Sequence, residues 1–150
     1  MVTCKKISKA ELPKLLELCY IGDEDLFDKY HHLVKKGTPT LELAIISTLG
    51  IIHDVSKEFD LRYHKVIFDK KPIGYFVTFD GFLHSFAIVK KYRKKDILIG
   101  WFNCVKKILG NKFYSMLYDH NTRAINHLVK QGMKIVEVSE EDERVTLLYS

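Results

Sequence analysis

The pattern of apolar and polar positions divides the chain into three stretches. Val2 to Ile7 reads as a short first strand. Ser8-Lys9-Ala10-Glu11 has the form of a capping box, but Pro13 would sit too deep in a helix begun there. A helix is therefore expected from about Leu12 to Tyr20, with Pro13 in its first turn. Asp23 is placed to cap a second helix through Lys36, stopped by Gly37, and Thr38-Pro39 opens a third that ends before Gly50. Asp54 to Leu61 fits no single pattern.

The middle stretch changes character. Tyr63 to Phe68 and Ile73 to Phe79 are rich in β-branched and aromatic residues, and Asp69-Lys70-Lys71-Pro72 separates them, which predicts a hairpin. After Asp80-Gly81, Phe82 to Val89 continues the meander. Asp96 is expected to cap an amphipathic helix to about Leu109, with Ile97, Trp101, Val105 and Ile108 on one face. In the last stretch Lys112 to Tyr118 is a strand, and a helix runs from Asn121 until Gly132 closes it. Lys134 to Ser139 and Val145 to Tyr149 form a final hairpin. The class is α/β (α+β), with a mixed central sheet: a three-strand antiparallel meander, then strand, helix, strand, helix and hairpin. A strand–helix–strand connection implies one parallel pair reached by a right-handed crossover.

The 150 residues suit one domain, 1–150, with 47% hydrophobic and 29% charged residues, a globular composition. Net charge is +5, and it is unevenly placed. Lys90 to Lys112 holds eight basic residues and one acidic, Asp96, whereas Glu137 to Arg144 holds five acidic and one basic. Cys4, Cys19 and Cys104 are odd in number, widely spaced and without metal-ligand spacing. A reducing, cytoplasmic setting is the expectation. The longest apolar run, Leu41 to Ile52, is too short and too interrupted for a bilayer.

Asn121-Thr122-Arg123-Ala124-Ile125-Asn126-His127-Leu128-Val129-Lys130-Gln131-Gly132-Met133 is similar to the late helix of the GNAT N-acetyltransferase superfamily. Asn opens that helix, a small residue follows three positions on, and Lys-x-Gly closes it. Pro72-Ile73-Gly74-Tyr75 resembles the family's third-strand start, and the order of elements over nearly the whole chain fits. The segment from Val89 to Leu98 occupies the place of the R/Q-x-x-G-x-G/A loop, whose backbone N–H groups and helix N-terminus hold the pyrophosphate of coenzyme A. Arg93 keeps the first position; Asp96 and Leu98 replace the two small residues.

The resemblance implies acetyl-CoA held between the fourth and fifth strands, which should splay apart into a V-shaped cleft. The backbone of Ile88 and Val89 would grip the pantetheine arm, Arg93, Lys94, Lys95, Asp96 and Ile97 would meet the pyrophosphate, and Asn121 would contribute from the late helix. Asp96 would bring a carboxylate against the phosphates there. The late-helix position of a general-acid Tyr is Leu128, and His127 beside it is expected to point away from the site. His84, with a reference pKa of about 6.5, is the candidate base, a bound water the alternative. Tyr114 and Tyr118 are read as packing residues, and His31, His32, His53, His64 and His120 show no metal spacing.

Two readings follow. In the first, an acetyl group passes from acetyl-CoA to the amine of a small molecule or protein. In the second, the fold serves without catalysis in a virion. The stretch from Lys90 to Tyr149 also resembles degenerate GNAT-like internal virion and accessory proteins of short-tailed bacteriophages, which would place the chain in host cytoplasm or virion among virion proteins. A nucleic-acid role for the basic stretch is the least favoured, because Trp101 falls on the apolar helix face rather than where it would stack on bases.

Overall fold

The structure, a computed structural model, describes residues 1–23 and 40–150. The helix expected from Asp23 to Lys36 and the Thr38-Pro39 cap lie outside the described residues. Seven strands form one sheet in the order β1-β2-β3-β4-β5-β7-β6. These are β1 (Val2–Ile7), β2 (Arg62–Phe68), β3 (Lys71–Phe79), β4 (Phe82–Ile88), β5 (Phe113–Tyr118), β6 (Lys134–Ser139) and β7 (Arg144–Tyr149). All neighbours are antiparallel except β4 and β5. The helices among the described residues are α1 (Leu12–Tyr20), α2 (Thr40–Ser56), α3 (Lys95–Leu109) and α4 (Thr122–Lys130).

The expected mixed sheet is present, and most boundaries agree within two residues. Ser8 and Glu11 do form a capping box, Ser8 N–H donating to Glu11 Oε2 at 3.3 Å, but on a single 3-10 turn that leads into α1. The β2–β3 hairpin turns on Asp69 and Lys70, both left-handed (φ +51° and +63°), so Lys71 and Pro72 belong to the strand rather than to the turn.

Two expectations about helix ends fail. Gly50 does not stop α2, which continues to Ser56. An exposed mid-helix glycine costs about 1 kcal/mol, and beyond it Ile52 is buried in the core, which outweighs that cost. Asp96 does not cap α3; Lys94 holds the cap position, and Asp96 lies in the first turn, where its charge suits the positive end of the helix. Asn121 sits at the N-cap of α4 without a side-chain capping bond, its carbonyl accepting from Ile125 N–H at 3.1 Å.

The sheet carries a core on each face. On one, Leu12, Leu16, Tyr20, Ala44 and Ile52 of α1 and α2 pack against Tyr75 and Val77. On the other, α3 and α4 bring Trp101, Phe102, Val105, Ile125 and Leu128 against Phe76, Leu83, Phe113 and Leu147. The second core runs beneath both halves of the sheet, from β2 to β7. No helix among the described residues is long and apolar enough to cross a membrane.

Candidate functional site

β4 and β5 pair at two positions only, Phe82 with Tyr114 and Leu83 with Ser115. Ser115, fully buried, donates its hydroxyl to the Leu83 carbonyl at 2.9 Å and closes the join. Beyond it the strands separate. A bulge helps, since Val77 pairs with Ser85 and Thr78 with Leu83, leaving His84 as the extra residue in β4. The opening between the fourth and fifth strands that the family resemblance implied is therefore present.

The opening leads into a cleft of about 860 Å³. Its walls are Phe86, Ala87 and Ile88 of β4, Leu98 and Trp101 of α3, and the start of α4 from Asn121 to Ala124, with Tyr20 and Asp23 at the end of α1. Lys90, Arg93, Arg123 and Lys130 add positive charge, and among the described residues Asp23 is the one carboxylate in the lining. The field in such a low-dielectric groove favours anions. Lys95, Asp96 and Ile97 begin α3 ahead of its first intrahelical bond, Leu98 N–H to the Lys94 carbonyl at 2.9 Å. Their N–H groups point toward the helix's positive end.

Part of this apparatus is already engaged. Arg93 donates Nε–H to the Ile88 carbonyl at 2.8 Å and pairs with Asp23 Oδ2 at 2.7 Å. Val89 N–H donates to the Ile73 carbonyl at 2.8 Å. Arg93 is thus a clamp from the end of β4 to the end of α1, and its charge is largely spent on Asp23. Of the residues expected to hold coenzyme, Ile88, Arg93 and Asn121 line the cleft; Val89, Lys94, Lys95 and Asp96 do not, and Ile97 is buried in the core. Asp96 is exposed, in the first turn of α3 and outside the cleft lining.

His84 does not line the cleft either. Its ring meets Phe79 edge-on at 5.9 Å, Nε2 is buried without a hydrogen-bond partner among the described residues, and burial, then Arg144, pushes its pKa down. His127, expected to point away, lines the cleft. Helical rotation sends Leu128 into the core and leaves His127 on the flank shared with Ala124, three residues earlier. Burial, then Lys130, pushes His127 down to about 4, so its imidazole is neutral at pH 7. The spacing from Ala124 was the signal for His127; nothing in the pattern distinguished Trp101 from an ordinary core residue.

Coenzyme A is a pantetheine arm with amide groups on a highly anionic nucleotide. The residues present fit it: the cleft is cationic, has the start of α3 beside it, and has in its lining two rings, Trp101 and His127, whose buried Nε1 and Nε2 have no hydrogen-bond partner among the described residues.

The fold is that of the GNAT acetyltransferases. The structure of AAC(6')-Ib in complex with paromomycin and acetyl-CoA superposes with a TM-score of 0.68 at 15% identity, over 99% of this chain and 93% of that one. PaiA N-acetyltransferase from Thermoplasma acidophilum, in complex with coenzyme A, gives 0.62 at 15% identity over 100% and 99%. PH1933 from Pyrococcus horikoshii OT3 gives 0.63 at 20% identity over 99% and 98%. No protein-family model and no curated protein sequence matches the chain.

Proposed function

We propose that this chain is an acetyl-CoA-dependent N-acetyltransferase acting on a small-molecule amine, working as a single domain. The observation that carries the reading is the opening between β4 and β5, which leads into a cationic cleft beside the start of α3. Neighbours of the same fold were crystallised with acetyl-CoA or coenzyme A, and one with an aminoglycoside amine. The virion reading has no comparable observation in its favour; the neighbours named above include no virion protein.

When bound, acetyl-CoA supplies an activated thioester. The chain's own part is to bind and to orient. Lys90, Arg123 and Lys130 would hold the phosphates, Asn121 the arm, and Ile88 and Phe86 its apolar segment. Holding an amine against a fixed acyl group removes translational and rotational entropy from the barrier. A water in the cleft suits the proton from that amine better than His84, whose ring lies outside the cleft wall. Isothermal titration with acetyl-CoA tests the reading. Binding at micromolar to submillimolar affinity that weakens with salt is expected; no binding at millimolar ligand refutes it. Thiol release with a panel of small amines then identifies the acceptor.

A further inference from the structure

We infer that Trp101 and His127 form a recessed polar pair that positions an amide or thioester carbonyl of the acyl carrier from the α3–α4 side of the cleft. The inference rests on the acetyl-CoA reading above and deepens it. Trp101 is fully buried, and its Nε1–H can only donate. His127 lies beside it, ring centroids 5.4 Å apart and planes tilted by 35°. Both rings line the cleft, one from α3 and one from α4, and neither Trp101 Nε1 nor His127 Nε2 has a hydrogen-bond partner among the described residues. Buried polar groups are nearly always satisfied, so these two nitrogens, side by side in the cleft lining, hold hydrogen-bonding capacity that no described residue uses.

The chemistry of the pair narrows what that is. A donor-only indole excludes a cationic or purely donating group. A neutral imidazole gives a donor or an acceptor according to tautomer, but no charge to match a phosphate. Phe76 and Phe86 flank Trp101, at 6.4 and 5.0 Å between ring centroids, so the surroundings are apolar. A neutral amide or thioester carbonyl meets these conditions, and the acylated pantetheine arm carries both. The opposite wall leaves room for this division of labour. There the Ile88 carbonyl is taken by Arg93 and the Val89 N–H by Ile73, so β4 has fewer main-chain groups to offer at its end.

Trp101 is the single tryptophan of the chain, so its emission reports on the pair directly. The experiment titrates the intact protein with coenzyme A, with pantetheine, and with adenosine 3′,5′-bisphosphate, which lacks the arm. Emission and heat are recorded together. Coenzyme A and pantetheine should change Trp101 emission; the bisphosphate should give heat with little change in emission. Trp101→Phe and His127→Phe, each checked for folding by circular dichroism, should weaken coenzyme A binding about five- to tenfold and leave bisphosphate binding unchanged. His127→Phe is the safer variant, because that side chain is not fully buried. Coenzyme A binding with no emission change, and unaltered affinity in His127→Phe, overturns the pair while leaving the acetyltransferase reading intact. No binding of any of the three probes overturns both.

Discussion

Gly74 is the position where adding one methyl group should do most harm for its size. It lies on β3 opposite Ile88, the last residue of β4 and a wall of the cleft. A Cβ there would stand 2.5 Å from the Ala87 carbonyl oxygen and 3.2 Å from Ile88 Cα. Ordinary carbon–oxygen contact begins near 3.3 Å, so one main chain must retreat by roughly 0.8 Å. Neither has an easy way to do so, since β3 is buried on both faces and β4 is held at its end by Arg93 and the Val89–Ile73 bond. Overpacking of this kind costs about 1–3 kcal/mol and a strained ladder hydrogen bond about 1 more; alanine's lower chain entropy returns roughly 0.5–1. The net is about 2–3 kcal/mol, or a fall in Tm of about 4–12 °C for a domain of this size. Gly50→Ala is the control, because nothing lies within 4 Å of its Cβ position and the site is an exposed helix interior. That variant should gain about 0.5–1 kcal/mol. Thermal unfolding followed by circular dichroism decides the matter. If Gly74→Ala melts within 1 °C of wild type, or above it, the close approach of β3 and β4 is not as described.

Three more expectations follow from charges. Burial, then Lys6 and Arg62, pushes His64 down to about 4, against about 6.5 in the unfolded chain, so the unfolded state binds more protons between those values. The associated stability is complete above pH 6.5 and lost as pH falls toward 4, of order 2 kcal/mol; urea titrations at pH 7 and 4.5 should show that loss shrinking in His64→Gln. Asp23→Asn breaks the pair with Arg93, whose Asp23 side chain is 8% exposed, and should cost about 2 kcal/mol while tightening acetyl-CoA binding two- to fivefold by removing a carboxylate from the cleft. Equal or weaker binding in that variant, measured calorimetrically, would contradict the electrostatic account. Asp96→Gly should leave acetyl-CoA affinity unchanged, because the side chain lies outside the cleft, and should lower Tm through the loss of a first-turn charge and of helix propensity.

The fold was largely legible because each strand and helix after Leu61 carries its own pattern and its own stop. The errors came where tertiary packing outweighs a local signal. Gly50 reads as a terminator, yet Ile52 beyond it has a core to enter. Asp96 reads as a cap, yet the chain enters α3 two residues earlier through the turn at Lys90–Tyr92. The site was legible in its place and in part of its lining, Ile88, Arg93 and Asn121. Arg93 stood out as a phosphate ligand, and only three dimensions reveal that Asp23, 70 positions away, already holds it. His84 was conspicuous as a histidine on the right strand, but which way a bulged residue faces is not written in the strand's periodicity.

The narrow join between β4 and β5 also bears on how the molecule moves as a body. With only Phe82–Tyr114 and Leu83–Ser115 paired across it, the sheet is mechanically two plates, β1 to β4 and β5 to β7, meeting along a short seam. On one side the plates are tied by the core beneath α3 and α4; on the other, α1 and α2 pack over the β1–β4 plate, against Ile7, Tyr63, Tyr75, Val77 and Ala87. Such an arrangement is stiff against shear and compliant in flexing about the seam. Flexing there would widen or narrow the gap along its length without breaking a ladder in either plate.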